Sequence, residues 1–401
     1  MVSKFLLCII NYIFNCLRHT GIYKYIYIVH VGALDVQSFT KSKRNDGGGY
    51  GFGYRFSDYL SQMFFNDNRE VIYESHAHGG QGAEFLLMCA SKLLNTADIV
   101  ILEGVQNDPN QGPYQEMLLR YVMELPHQPA VIVIGYSPPK ITQQQKTPLI
   151  YEQLAKHYNV PAVYLYDGLL SNGCGPYKIS EYAGDDREIG MHYANILGDD
   201  MHPNSIGHEL ISCLLKILVH QALSLGIGVG VDDTSVTALP MPLFHKAVAT
   251  PLTPQCLHVA DFDRYSLPHK AWTKGKMKKR ATEKEWLQCT TVGKDITFKL
   301  PHIHGISLNI YQHNSMGSVD VYINDILLER VNSYLDVSTP QWSWLPAGQG
   351  VATMIHLDIP LDTHGLTGDE SKPMLLKLKL VAGDKTNAFN TKFQLLALAF
   401  Y

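Results

Sequence analysis

Asp199 and His202 stand three residues apart in Asp199-Asp200-Met201-His202-Pro203-Asn204-Ser205-Ile206-Gly207-His208, just ahead of a helical run. In such a loop a carboxylate can accept from one imidazole nitrogen while the other nitrogen faces a crevice and acts as a base. The bland alternative is a surface Asp and His in a proline-containing loop. Asn204 or Ser205 is a natural cap for the helix, and His208, inside its start, reads as structural. Upstream, Gly104-Val105-Gln106-Asn107-Asp108 leaves a continuous apolar run. An Asn there can aim its amide N–H at a developing oxyanion, although Asn-Asp-Pro also makes an ordinary turn. His78-Gly79-Gly80-Gln81-Gly82 lets a backbone N–H approach a ligand closely, or is a plain strand-to-helix turn.

These loops need elements to position them. Tyr23–Ala33 is β-branched and aromatic, Glu70–Tyr73 is a short strand, and Ala97–Leu102 and Ala130–Gly135 are apolar throughout, as strands buried on both faces are. Val160–Tyr166 completes the set. Helical spacing occupies Tyr50–Phe65, Ala83–Leu94, Tyr114–Glu124, Pro148–Tyr158 and Ser205–Leu223. Short buried strands alternating with helices imply βαβ units and a parallel sheet. Ligands bind such sheets outside the carboxyl ends of the strands, where all three loops fall. Residues 224–256 are rich in Gly, Pro and Thr and read as a linker or strap. Beyond them, Asp295–Leu300, Gly305–Tyr311, Ser318–Asn324, Ile326–Val331, Val351–Leu357, Met374–Leu380 and Phe393–Phe400 alternate like the strands of an antiparallel β-sandwich.

Glu103-Gly104-Val105-Gln106-Asn107-Asp108 and Asp199-x-x-His202-Pro203-x-x-x-Gly207-His208, in this order and separation, resemble the SGNH (GDSL-like) hydrolase superfamily. Tyr54-Arg55-Phe56-x-x-Tyr59-Leu60 and the Gly79-Gly80-Gln81-Gly82 turn are similar to further blocks of that family, over about residues 36–223. The strap and the β-rich region 257–401 resemble its fungal, plant and algal branch. The resemblance implies a flavodoxin-like three-layer α/β/α sandwich and a serine esterase acting on small acyl esters, acetyl groups on carbohydrate among them. Neither metal nor cofactor is implied. His202 would be the base, Asp199 its orienting partner, and Gly80 N–H and the Asn107 amide the oxyanion donors. The family's first block, Gly-Asp-Ser or Gly-Gly-Ser, does not occur. Its nearest match is Ser38-Phe39-Thr40, which implies Ser38 as nucleophile, with Val36 and Gln37 replacing the Gly and Asp. If the first strand instead ends at Gly32, Leu34 takes the serine position. A catalytically impaired carbohydrate-binding protein and an acyltransferase using the same residues are the alternative readings.

Residues 1–35 contain the apolar run Phe5–Leu17 between Lys4 and Arg18. It reads as a signal or anchor sequence or as a wrongly assigned leader, and it is the only implied membrane contact. It points to the secretory pathway. Cys256 and Cys289 are candidates to pair there. Lys plus Arg number 33 against 37 Asp plus Glu, which excludes a general nucleic-acid binder. The basic run Lys274–Arg280 reads as a solvated loop. His76 and His78 could share a metal with His202, a weaker reading than the serine mechanism. Trp272, Trp286, Trp342 and Trp344 either line a sugar surface or fill a β-sandwich core.

Overall fold

Ile99–Glu103 (β3) and Ala130–Gly135 (β4) are buried at every position, because apolar residues on both faces of a strand demand cover on both sides. They sit at the centre of a five-stranded parallel sheet with Tyr25–Gly32 (β1), Glu70–Ala77 (β2) and Ala162–Tyr164 (β5), in the order β2-β1-β3-β4-β5. That is the flavodoxin-like doubly wound order. The computed structural model describes residues 25–32, 51–64, 70–77, 82–89, 94–103, 111–135, 147–164, 203–226, 239–244, 254–279, 282–335, 350–359, 372–382 and 391–401. The leader run Phe5–Leu17 lies outside them.

Asp98 sets the register at the start of the sheet. Its Oδ2 accepts the Tyr27 N–H at 2.8 Å, while its backbone donates to Tyr27 O and accepts from the Ala130 N–H, both at 2.9 Å. Phe52–Phe64 (α1) and Ser205–Gly226 (α5) cover one face. Phe52, Phe56 and Leu60 meet Leu210, Ile211, Leu215 and Val219 over Ile28, Ile99, Ile101, Ile132 and Ile134. Val100, Val131 and Val133, of opposite parity, are buried on the other face. There Gln111–Met123 (α3) and Thr147–His157 (α4) pack together, and α4 packs on β4. Among the described residues no helix is long and apolar enough to cross a membrane.

The chain divides into two compact units. The first comprises Met1–Gly79, Lys92–Gln106 and Asn110–Thr250; the second comprises Gly80–Ser91, Asn107–Pro109 and Pro251–Tyr401. Ala83–Cys89 (α2) therefore belongs to the second unit by its packing, although its place in the chain is between β2 and β3.

The second unit is built from two antiparallel sheets. Gln255–His258 (β6), Trp272–Lys279 (β7), Thr282–Cys289 (β8), Gly305–Gln312 (β10), Val351–Asp358 (β13) and Phe393–Phe400 (β15) form one, in the order β13-β10-β15-β8-β7 with β6 also on β15. Asp295–Leu300 (β9), Ser318–Ile323 (β11), Ile326–Asn332 (β12) and Met374–Val381 (β14) form the other, in the order β12-β11-β14-β9. On β14, Leu376, Leu378 and Leu380 are buried while Leu375 and Lys379 are exposed. They join Ile296, Phe298, Val319, Val321, Ile306, Leu308 and Phe393 in one core. Asn324 and Asp325, with φ of 49° and 67°, turn β11 into β12, since a two-residue hairpin needs both central residues left-handed.

Two expectations change, and one alternative is decided. The basic run is not a loop: Lys274, Lys276, Lys278 and Lys279 lie in β7, in register with β8 so that Lys276 stands opposite Glu285 and Lys278 opposite Glu283. Cys256 pairs with Cys89, not Cys289, which is a buried free thiol. Cys256 is opposite Ala399 and Cys289 opposite Phe393 on β15. Six residues along a strand is about 20 Å, far beyond disulfide reach. Trp272 belongs to the core, 3% exposed and edge-on to Phe393 at 6.1 Å. Within the strap or linker segment, residues 239–244 have a fixed place in the first unit, and β6 begins at Gln255.

Candidate active site

Parallel strands place all their carboxyl ends at one edge of the sheet, and each candidate residue follows such an end in the chain. Ser38 follows β1, Gly80 follows β2, Asn107 follows β3, and Asp199 and His202 fall between β5 and α5. All five lie outside the described residues. What is described is the framework around them. β1 ends at Gly32, paired with Ala77 on one side, while Val31 pairs with Leu102 on the other. The serine candidate is thus six positions past the strand end and Leu34 two.

The helix after His202 starts as the cap rule requires. Asn204 Oδ1 accepts the Gly207 N–H at 3.0 Å, and Asn204 O accepts the His208 N–H at 2.9 Å. His208 is structural: it is 3% exposed and stacks on Phe52, ring centroids 5.9 Å apart at 23°. The stack joins the first turns of α1 and α5. One turn further along, Arg55 faces Glu209 at 3.9 Å, and Lys216 lies over the Tyr59 ring at 5.5 Å. Burial holds the Lys216 ammonium below the usual lysine range, helped by Arg55 and opposed by Glu209 and Asp58.

A layer of polar and aromatic residues backs α1. Gly53 admits the Tyr73 ring so closely that a Cβ on Gly53 would lie 2.0 Å from its Cζ. Tyr54 meets the same ring edge-on at 4.9 Å. Burial pushes the Tyr73 phenol well above the ordinary tyrosine range; Tyr54 and Glu103 add to the rise, and a hydrogen bond with Ser75 opposes it. Glu103, the last residue of β3, is 2% exposed. It is one of the motif residues, and its sequence signal is a lone acid closing an otherwise apolar strand. His76 Nε2 faces Glu74 Oε2 at 3.2 Å. Among the described residues no three His, Cys, Asp or Glu side chains stand together as a metal site; His78 and His202 lie outside them.

No protein-family model matches the sequence, and no curated protein matches it. A two-domain esterase (CEX) active on acetylated mannans, co-crystallised with mannopentaose, matches over 97% of this chain and 94% of its own, at 17% identity and a TM-score of 0.60. The chain shares the fold of this two-domain esterase. A second structure of a two-domain esterase (CEX) active on acetylated mannans matches 97% of this chain and 95% of its own, at 17% identity and a TM-score of 0.61. The likeness in fold therefore takes in residues of both units of the chain.

Proposed function

We propose that the protein is a serine esterase of SGNH type that removes acetyl groups from carbohydrate. The observation that carries this reading is topological. Four separate candidate elements each follow the carboxyl end of a strand in a parallel β2-β1-β3-β4-β5 sheet, the edge at which such sheets bind ligands. The fold shared along the chain with an esterase active on acetylated mannans supports the substrate class.

In this reading Ser38 attacks the acetyl carbonyl and His202 accepts the serine proton, held in orientation by Asp199. The oxyanion takes hydrogen bonds from the Ser38 and Gly80 N–H groups and the Asn107 amide. His202 then passes its proton to the departing sugar hydroxyl, and water repeats the sequence on the acetyl-enzyme. A secretory-pathway location is part of the proposal; the Cys89–Cys256 disulfide supports it, as does a second disulfide at Cys213, because such bonds persist in oxidising compartments.

One observation favours the impaired reading at the nucleophile: Val36 and Gln37 stand where the family's first block has Gly and Asp. A single assay separates the two. The full-length oxidised chain is tested on an activated acetyl ester and on acetylated mannan, beside Ser38→Ala, His202→Ala and Leu34→Ser. Turnover abolished by the first two substitutions, and rising with pH through the histidine range, is the expected result. An inactive parent that binds mannan, gaining turnover as Leu34→Ser, overturns it in favour of the impaired reading.

A further inference from the structure

Glu116 is 0% exposed, in the middle of α3, and the candidate mechanism gives it no role. Its two oxygens accept backbone N–H groups from the strap: Oε1 from Leu243 at 2.6 Å and Oε2 from Phe244 at 2.7 Å. The Tyr158 hydroxyl donates to Oε1 as well. Arg120, one turn along α3, donates to Pro240 O at 2.7 Å and to Tyr158 Oη at 3.0 Å. From the end of α4, His157 Nε2 donates to Met241 O at 2.8 Å. The Phe244 ring lies on Gly112, where a Cβ would come within 2.4 Å of it.

We propose that this groove between α3 and α4 is a peptide-binding site whose occupant is the chain's own proline-bearing segment 239–244, which bends at Leu243 and Phe244 and is latched there by Glu116. Every polar contact is made to the strap's backbone. Pro240, which has no N–H to satisfy, presents only its carbonyl, and that carbonyl is used. Met241 and Leu243 point outward, 81% and 43% exposed, so recognition rests on backbone groups and one aromatic ring. A carboxylate taken out of water needs hydrogen bonds to offset its desolvation. With the strap gone, Glu116 would lose two of its three donors. Strap and carboxylate therefore bind or release together, which makes the latch a two-state element.

Its consequence lies in α3. Phe244 covers the second residue of that helix, and the chain entering the helix from β3 carries Asn107. A docked strap fixes the first turn of α3 and acts as a positioning element for turnover, a consequence that rests on the esterase reading. A misplacement of about 1 Å in such a site costs on the order of 10²-fold.

Hydrogen exchange of the oxidised full-length chain tests the latch, comparing wild type with Glu116→Gln and Phe244→Ala. The second variant leaves the buried carboxylate intact should the first fail to fold. The Leu243 and Phe244 amides are protected in the wild type and exchange about tenfold faster or more in both variants, while amides of α5 stay protected. With activated acetyl ester, kcat falls about tenfold or more at little change in KM or in the pH profile. Unprotected Leu243 and Phe244 amides in the wild type, or protection retained in both variants, overturns the latch. An opened latch with unchanged kcat overturns the positioning role. An inactive wild type refutes the esterase reading and leaves the exchange result to decide the latch by itself.

Discussion

Gly53→Ala sets two known effects of opposite sign against each other. In the second position of α1, alanine should help, since glycine costs a helix about 1 kcal/mol relative to alanine. The structure puts two Tyr73 ring atoms and the Tyr73 hydroxyl oxygen 2.0–2.4 Å from where the new methyl would stand. Ordinary carbon contacts are about 3.5–4.0 Å, so ring or helix must move by about 1.5 Å. Tyr73 cannot swing freely, because Tyr54 closes on its ring and its hydroxyl is bonded to Ser75. Overpacking of this kind costs about 3 kcal/mol at its upper range, leaving a net loss of about 2 kcal/mol. Urea unfolding followed by circular dichroism at the helix band reports it, since every helix of eight or more described residues belongs to the first unit. All four tryptophans are in the second unit, so their fluorescence follows that unit separately. Tyr73→Leu in the Gly53→Ala background should recover much of the loss. A Gly53→Ala protein as stable as the parent would refute the packing argument.

Cys256→Ser should destabilise the chain by about 2–5 kcal/mol, as loss of a long-loop disulfide does. A peptide map under non-reducing conditions should show Cys89 joined to Cys256, with Cys289 alkylated only after unfolding; a Cys256–Cys289 peptide would contradict the register of β15. At high pH the Tyr158 phenol matters: burial first, then its hydrogen bond to Glu116, push it up to about 12 from 10.0. The unfolded chain releases that proton first, so stability is full below about pH 10 and drains away as pH rises toward 12. Tyr158→Phe should flatten this loss between pH 9 and 12 in denaturant titrations, and an unaltered slope would exclude the assignment.

The elements that announced themselves in the sequence are those whose burial leaves a pattern. Ile99–Glu103 and Ala130–Gly135 could be read as strands because both their faces are covered, and Met374–Val381 because only one is. Strands β7 and β8 left no such trace. Lys and Glu dominate Thr273–Lys279 and Thr282–Glu285, and what makes them strands is the partner opposite, which periodicity does not contain. The disulfide was unreadable for a related reason: Cys89 and Cys256 are 167 residues apart, and only the packing of α2 on β6 brings them together. At the site, the chain order of the loops was readable, and so was the Asn204 cap. The nucleophile was not, because the turn that would present a serine depends on where β1 stops, and Gly32 and Ala33 are equally good strand ends by composition.

Strand β7 closes one side of its sheet among the described residues, with no further strand beyond it. A bare strand edge is a template for a neighbouring copy of the same chain. Here Lys274 and Lys276 are exposed, and Lys274 is held by Asp263 at 2.7 Å. A second copy arriving edge to edge would have to bring its own ammonium groups against these. The basic run that reads in the sequence as a solvated loop thus works as a barrier to self-association, and replacing both lysines with threonine would be expected to cost solubility before it costs fold.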